Sequence, residues 1–109
     1  MSLYFTRAQY SAAAFKGMLT SPSDRGAAAK VLLDAVGVKT HSIHFSVTSG
    51  EIVCMVECTP EQMAIVEIVI LGSGGFNNVS SLELLSLDQM NAAMTTASGI
   101  AALYQAPNK

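Results

Sequence analysis

His44 sits in the middle of an alternating run, Thr40 to Val47 (THSIHFSV), and is the side chain best placed to do chemistry. Alternation with period two sends His41, Ile43, Phe45 and Val47 one way and Ser42, His44 and Ser46 the other. The next run, Ile52 to Cys58 (IVCMVEC), follows across Thr48-Ser49-Gly50-Glu51, a loop in which Gly50 can take a positive φ. Pairing Val47 with Ile52 sets Phe45 opposite Cys54 and Ile43 opposite Val56. That register builds a core face from these six residues. The other face carries Ser42, His44, Ser46, Val53, Met55 and Glu57, with His44 beside Met55 and diagonal to Glu57.

A histidine beside a carboxylate can act as a general base, or as a metal or haem ligand. It can equally be a strand histidine hydrogen-bonded across a subunit interface. His41 falls at the start of the strand on the opposite face and reads as an edge residue. Glu57 and Glu83 are single acids inside apolar strands, and Arg7 interrupts the first strand in the same way. A buried acid is costly unless paired, so Arg7 is expected to neutralise one of the two. The sharper reading is a polar pocket lined by Arg7, His44, Met55, Glu57 and Glu83 that binds a small molecule. In an enzyme, His44 would be the catalytic base, with Glu57 or Arg7 orienting the substrate.

Other chemistries find no footing. The two histidines, three apart on a strand, point to opposite faces, and Cys54 and Cys58 are not a CxxC pair, so no metal site and no cofactor is expected. Four residues apart on one strand, the cysteines share a face but stand too far apart for a disulfide, and read as reduced core thiols. Gly72-Ser73-Gly74-Gly75 follows a helical pattern instead of linking a strand to a helix, and no Lys-Ser/Thr follows it; it reads as a helix stop, not a phosphate loop.

The elements that must hold these residues come next. Leu3 to Tyr10 reads as a strand and Ser11 to Leu19 as one or two helical turns. Ser21 is a good N-cap with Pro22 at the first helical position and Asp24 in the first turn. The helix so begun carries Ala27, Val31, Leu32, Ala35 and Val36 on one stripe and stops at Gly37. Thr59 and Gln62 form a capping-box pattern ahead of a helix that is apolar nearly all round, which predicts burial on more than one side. Val79 to Ser86 reads as the last strand. Ser86 and Gln89 can cap a further helix, Asp88 to Tyr104, and residues 105–109 read as a loose tail. The order β-α-β-β-α-β plus a C-terminal helix is the α+β, ferredoxin-like arrangement: two helices on one sheet face, the other face open.

The chain of 109 residues fits one domain, residues 1–109. Half of the residues are hydrophobic and only 13% are charged, against about 25% charged in ordinary domains. That is more apolar surface than a monomer of this size can hide, and it predicts a homo-oligomer closing the open face. The net charge of −2, with no basic run, argues against nucleic acid as a partner. The longest apolar stretch, Met63 to Leu71, falls far short of the ~20 residues that cross a bilayer. Residues 1–10 lack the pattern of a signal peptide. A soluble, cytoplasmic protein with no membrane partner is the expectation.

Several segments together resemble the GYD-domain family of the dimeric α/β-barrel group: YFTRAQYS (Tyr4 to Ser11), GMLTSPSDR (Gly17 to Arg25), IHFSV (Ile43 to Val47) and IVCMVEC. The resemblance covers roughly residues 3–96. Where the family's name tripeptide should precede IVCMVEC, this chain has Ser49-Gly50-Glu51, so the Tyr is absent and only an acid remains. In place of the family's aromatic residues in the second strand stand His44 and Phe45. The resemblance implies a ferredoxin-like dimer whose two sheets close a barrel. It implies no particular reaction, since related barrels include monooxygenases, isomerases and haem-handling proteins. Three functions follow as expectations: a small-molecule-binding domain, a small isomerase or cofactor-independent monooxygenase, or a structural oligomerisation module knit by the C-terminal helix.

Overall fold

A computed structural model describes residues 1–108; the expected looseness of Lys109 lies outside the described residues. The chain runs β1 (Ser2–Tyr10), α1 (Ala12–Thr20), α2 (Arg25–Val36), β2 (Lys39–Ser46), β3 (Glu51–Cys58), α3 (Pro60–Gly72), β4 (Phe76–Leu84) and α4 (Leu87–Ile100), followed by a 3-10 turn, Ala101–Leu103. The four strands form one antiparallel sheet in the order β2-β3-β1-β4. This is the ferredoxin-like α+β fold that the element order predicts.

Strict alternation builds the core. β1 turns Tyr4, Thr6, Ala8 and Tyr10 inward, and β3 does the same with Ile52, Cys54, Val56 and Cys58. Leu33 from α2, Val38, and Met63 and Val66 from α3 close over them. Both thiols are free and buried. Near the β2–β3 turn the core becomes aromatic: Tyr10 stacks on Phe76 at 4.6 Å and meets Phe15 and Phe45 at 5.9 Å each. Gly50 takes φ +69°, and a Cβ there would lie 3.1 Å from the Phe15 ring. Glycine is therefore required twice over, for the left-handed backbone and for the close approach of α1.

Local signals set most helix ends. Thr59 and Gln62 cap α3 reciprocally, and Ser86 and Gln89 do the same for α4. Gly37 ends α2 at φ 91°. The start of α2 differs from expectation. Ser21 is the C-terminal cap of α1, and the N-cap of α2 is Asp24, whose Oδ1 accepts from the Ala27 backbone N–H at 3.0 Å. Ser21 still belongs to α1, its N–H bonded to the Gly17 carbonyl at 2.9 Å, so the helix begins three residues later, at Asp24.

Two surfaces that should be covered are not. α3 buries only Met63 and Val66, while Ile65, Ile68, Val69 and Leu71 face outward, so the expected burial on several sides is absent in the single chain. α4 ends earlier than the expected Tyr104, and none of its residues is buried. It projects from the body: the molecule measures 59 × 32 × 23 Å with a radius of gyration of 17.9 Å, against about 13 Å for a compact chain of this length.

Candidate functional site

The sheet face away from α2 and α3 is uncovered, and cross-strand pairing orders it in rows. Ser46, Glu51, Gln9 and Asn78 form one row, and His44, Val53, Arg7 and Ser80 the next. Ser42, Met55, Phe5 and Leu82 follow. Lys39, Glu57, Leu3 and Leu84 form the last row, where α4 departs.

The β2–β3 register is two residues away from the expected one. Phe45 faces Ile52 and Ile43 faces Cys54, so Val47 leaves the strand and is 82% exposed. A slip of two keeps every side chain on its face but moves it along the partner. His44 therefore stands opposite Val53 and not Met55. Four residues, about 13 Å of strand, separate Val53 from Glu57, so the structure does not bring His44 and Glu57 together.

His41 takes that place. The register shifts between Thr40 and Ser42, which leaves His41 as the extra residue of a β-bulge. A bulge re-aims a side chain, and His41 Nε2 lies 3.0 Å from Glu57 Oε1. The expected edge residue thus stands beside Glu57 on the open face. Alternation assumes an unbroken strand, and no residue type at 40–42 signals the break. The bulge leaves Thr40 Oγ1 buried without a hydrogen-bond partner among the described residues.

Arg7 pairs with neither expected acid. Its Nη2 donates to Glu51 Oε1 at 2.8 Å, because Arg7 lies opposite Val53, one diagonal from Glu51. Glu51 is the more enclosed partner, its side chain 12% exposed against 51% for Arg7. Hydrogen bonds from Arg7 and then Ser49, with the Arg7 charge, hold its carboxyl below the usual range against the opposing effect of desolvation. Glu83 leaves the constellation altogether. It is the direct partner of Tyr4, a core residue, and direct partners share a face, so it lies on the helix side. Burial first, and the Glu83 charge second, push the Tyr4 phenol above its ordinary pKa.

Of the five expected site residues, Met55 and Glu57 remain together at the α4 end of the open face, in a groove of about 610 Å3. Leu3, Met55, Leu84 and Leu85 supply its apolar wall, and His41, Ser42, Glu57, Ser86 and Gln89 its polar one. The hydrogen bond from His41 is the largest influence lowering the Glu57 carboxyl; desolvation opposes it, and the charges of Lys39 and His41 assist. Glu57 is thus an anion at neutral pH that fixes one nitrogen of His41. Such a pair can orient a histidine as a base, or offer a ligand two acceptors side by side, a carboxylate oxygen and the free ring nitrogen.

Among the described residues no group of three or more His, Cys, Asp or Glu is placed to hold a metal, and no helix is long and apolar enough to cross a membrane. No known family profile matches the chain, and no curated protein matches it in sequence. Its fold does match a solved structure, the C-terminal domain of the MgtC protein from Mycobacterium tuberculosis. The TM-score is 0.51 at 12% identity, over 77% of this chain and 88% of that one. At that identity the likeness concerns the fold alone.

Proposed function

We propose that this chain is a homodimeric, cytoplasmic domain that binds a small molecule in the open-face groove, with the second copy closing the groove into a cavity. The observation that carries the reading is the meeting of a His41–Glu57 pair with uncovered apolar surface at one end of the sheet. Leu82, on the edge strand β4, is 56% exposed on that face. On α4, Leu87, Met90, Met94 and Ala97 recur at spacings of three and four, a seam that wants a partner. A 14-residue helix with no buried residue is marginal in water by itself, which supports a second chain against it. The groove volume falls within the usual range for small-molecule sites. The ligand it suits presents donors to Glu57 and to the free ring nitrogen of His41, and an apolar flank to Leu3, Met55 and Leu84.

The GYD-like resemblance belongs to the same reading. IVCMVEC is the inner strand β3, and the one acid kept at the name tripeptide, Glu51, is the partner of Arg7. A catalytic variant of the proposal is favoured by one observation, the 3.0 Å contact that orients His41; His41, not His44, would then be the base.

Two measurements test this separately. Sedimentation equilibrium should give twice the chain mass, and Leu82→Asp should return it to one; a monomeric wild type sinks the dimer. A thermal-shift screen of small polar molecules should give hits that Glu57→Gln abolishes. Hits indifferent to Glu57→Gln, or no hits from a proven dimer, sink the ligand site alone.

A further inference from the structure

A second cavity lies on the opposite side of the sheet, where α2 and α3 stand over the core face. It measures about 190 Å3 and opens to the surface beside Arg25 and Val69; an apolar cavity of ~150 Å3 in another protein takes benzene. The space exists because α2 turns Ala28 and Ala29 toward the sheet at the level where α3 offers Met63 and Val66. Larger side chains at 28 and 29 would fill it.

The polar atoms of its lining are already engaged. Thr6 Oγ1 has Ser81 Oγ at 3.0 Å and Met63 Sδ at 3.4 Å. Ser73 Oγ donates to the Ile70 carbonyl at 2.6 Å and accepts from the Gly75 N–H at 3.1 Å. The Cys54 thiol at the floor, pushed up to about 11 by burial, is neutral at physiological pH and presents a soft apolar surface. The interior therefore has no unmet demand for a polar ligand body. Arg25 lines the same cavity and differs. Its guanidinium has five donors but only a 3.3 Å hydrogen bond to Ser23 Oγ. Among the described residues no carboxylate lies within ion-pairing distance of it; the neighbouring Asp24 is committed to the α2 cap.

We infer that this cavity is a binding site for a small amphiphilic monoanion, a ring or short chain lodged between α2 and α3 with its carboxylate on Arg25. The apolar body enters a space lined mostly by apolar side chains, and the head meets a cation built for planar, two-pronged contact with a carboxylate. The site does not depend on dimerisation or on the open-face groove, since it shares no residue with that groove.

The test is an NMR titration of the full chain, labelled at Ala and Met methyls, with hydrocinnamate and with its uncharged analogue hydrocinnamyl alcohol. Both should shift Ala28, Ala29 and Met63 saturably, with the acid bound about fivefold more tightly, as expected for a partly exposed ion pair. Arg25→Gln should remove that preference and leave the alcohol bound as before. Ala29→Leu should fill the space and abolish both. Should Ala29→Leu fail to fold, Arg25→Gln decides the matter, because residue 25 is exposed. Absence of saturable shifts at these methyls, shifts confined to Met55 on the other face, or an acid preference that survives Arg25→Gln would each overturn the inference.

Discussion

His41 reaches Glu57, at 3.0 Å from Nε2 to Oε1, only because a bulge in β2 turns its side chain onto the open face. The pairing has a pH signature. Glu57 has a folded-state pKa below its unfolded value, so its contribution is present above the ordinary carboxylate range and is lost as pH falls through the folded value. Wild type should therefore be more stable than Glu57→Gln at neutral pH, and the two should converge in acid. Urea denaturation at several pH values measures this; a gap that persists unchanged in strong acid refutes the assignment.

Glycines 17 and 50 should respond oppositely to alanine. Gly50→Ala forces a side chain into left-handed backbone against Phe15 and should cost about 1–2 kcal/mol. Gly17 lies in α1, and an added Cβ there meets nothing within 4 Å. Gly17→Ala should stabilise by about 0.5–1 kcal/mol. Chemical denaturation of both variants gives the signs; a stabilising Gly50→Ala would contradict the left-handed backbone at residue 50, and a destabilising Gly17→Ala the open space at residue 17.

The double substitution Met90→Lys and Met94→Lys changes two residues that are each 50% exposed in the single chain. It should leave the monomer's stability within about 0.5 kcal/mol of wild type and weaken self-association strongly. Dilution experiments by light scattering distinguish this from a seam with no partner, for which the association behaviour would not change.

Cys54 and Cys58 should be unreactive toward a thiol reagent at pH 7–8 in the folded protein. Burial raises both thiols, Cys54 to about 11, and the thiolate is the reacting form. Labelling should become fast only in denaturant. Rapid labelling of the native chain would mean that β3 is not inside.

Much of the fold is legible residue by residue. Thr59 with Gln62, Ser86 with Gln89, and Gly37 mark helix ends through chemistry that acts within four residues. The alternation of β3 reads directly as a core face. The site is less legible, for two physical reasons. Alternation repeats every two residues, so it cannot tell the register that faces Phe45 with Ile52 from the one that faces it with Cys54; the expected approach of His44 to Glu57 rests on that ambiguity. The break at His41 arises from how β2 docks on β3, which no local propensity encodes. Glu83 fails similarly: its face is fixed by pairing with Tyr4, seventy-nine positions earlier in the chain.

The position of β1 has a further bearing on how the molecule is made. This first strand is an inner one, flanked by β3 and by β4, the last strand of the sheet. During synthesis β1 must wait for residues 76–84 before its second edge is paired. Until then Tyr4, Phe5 and Leu3 remain adhesive in the nascent chain. Long-range pairing of this kind slows folding, and mutations in β4 should therefore lower the yield of folded protein more than their effect on its equilibrium stability explains.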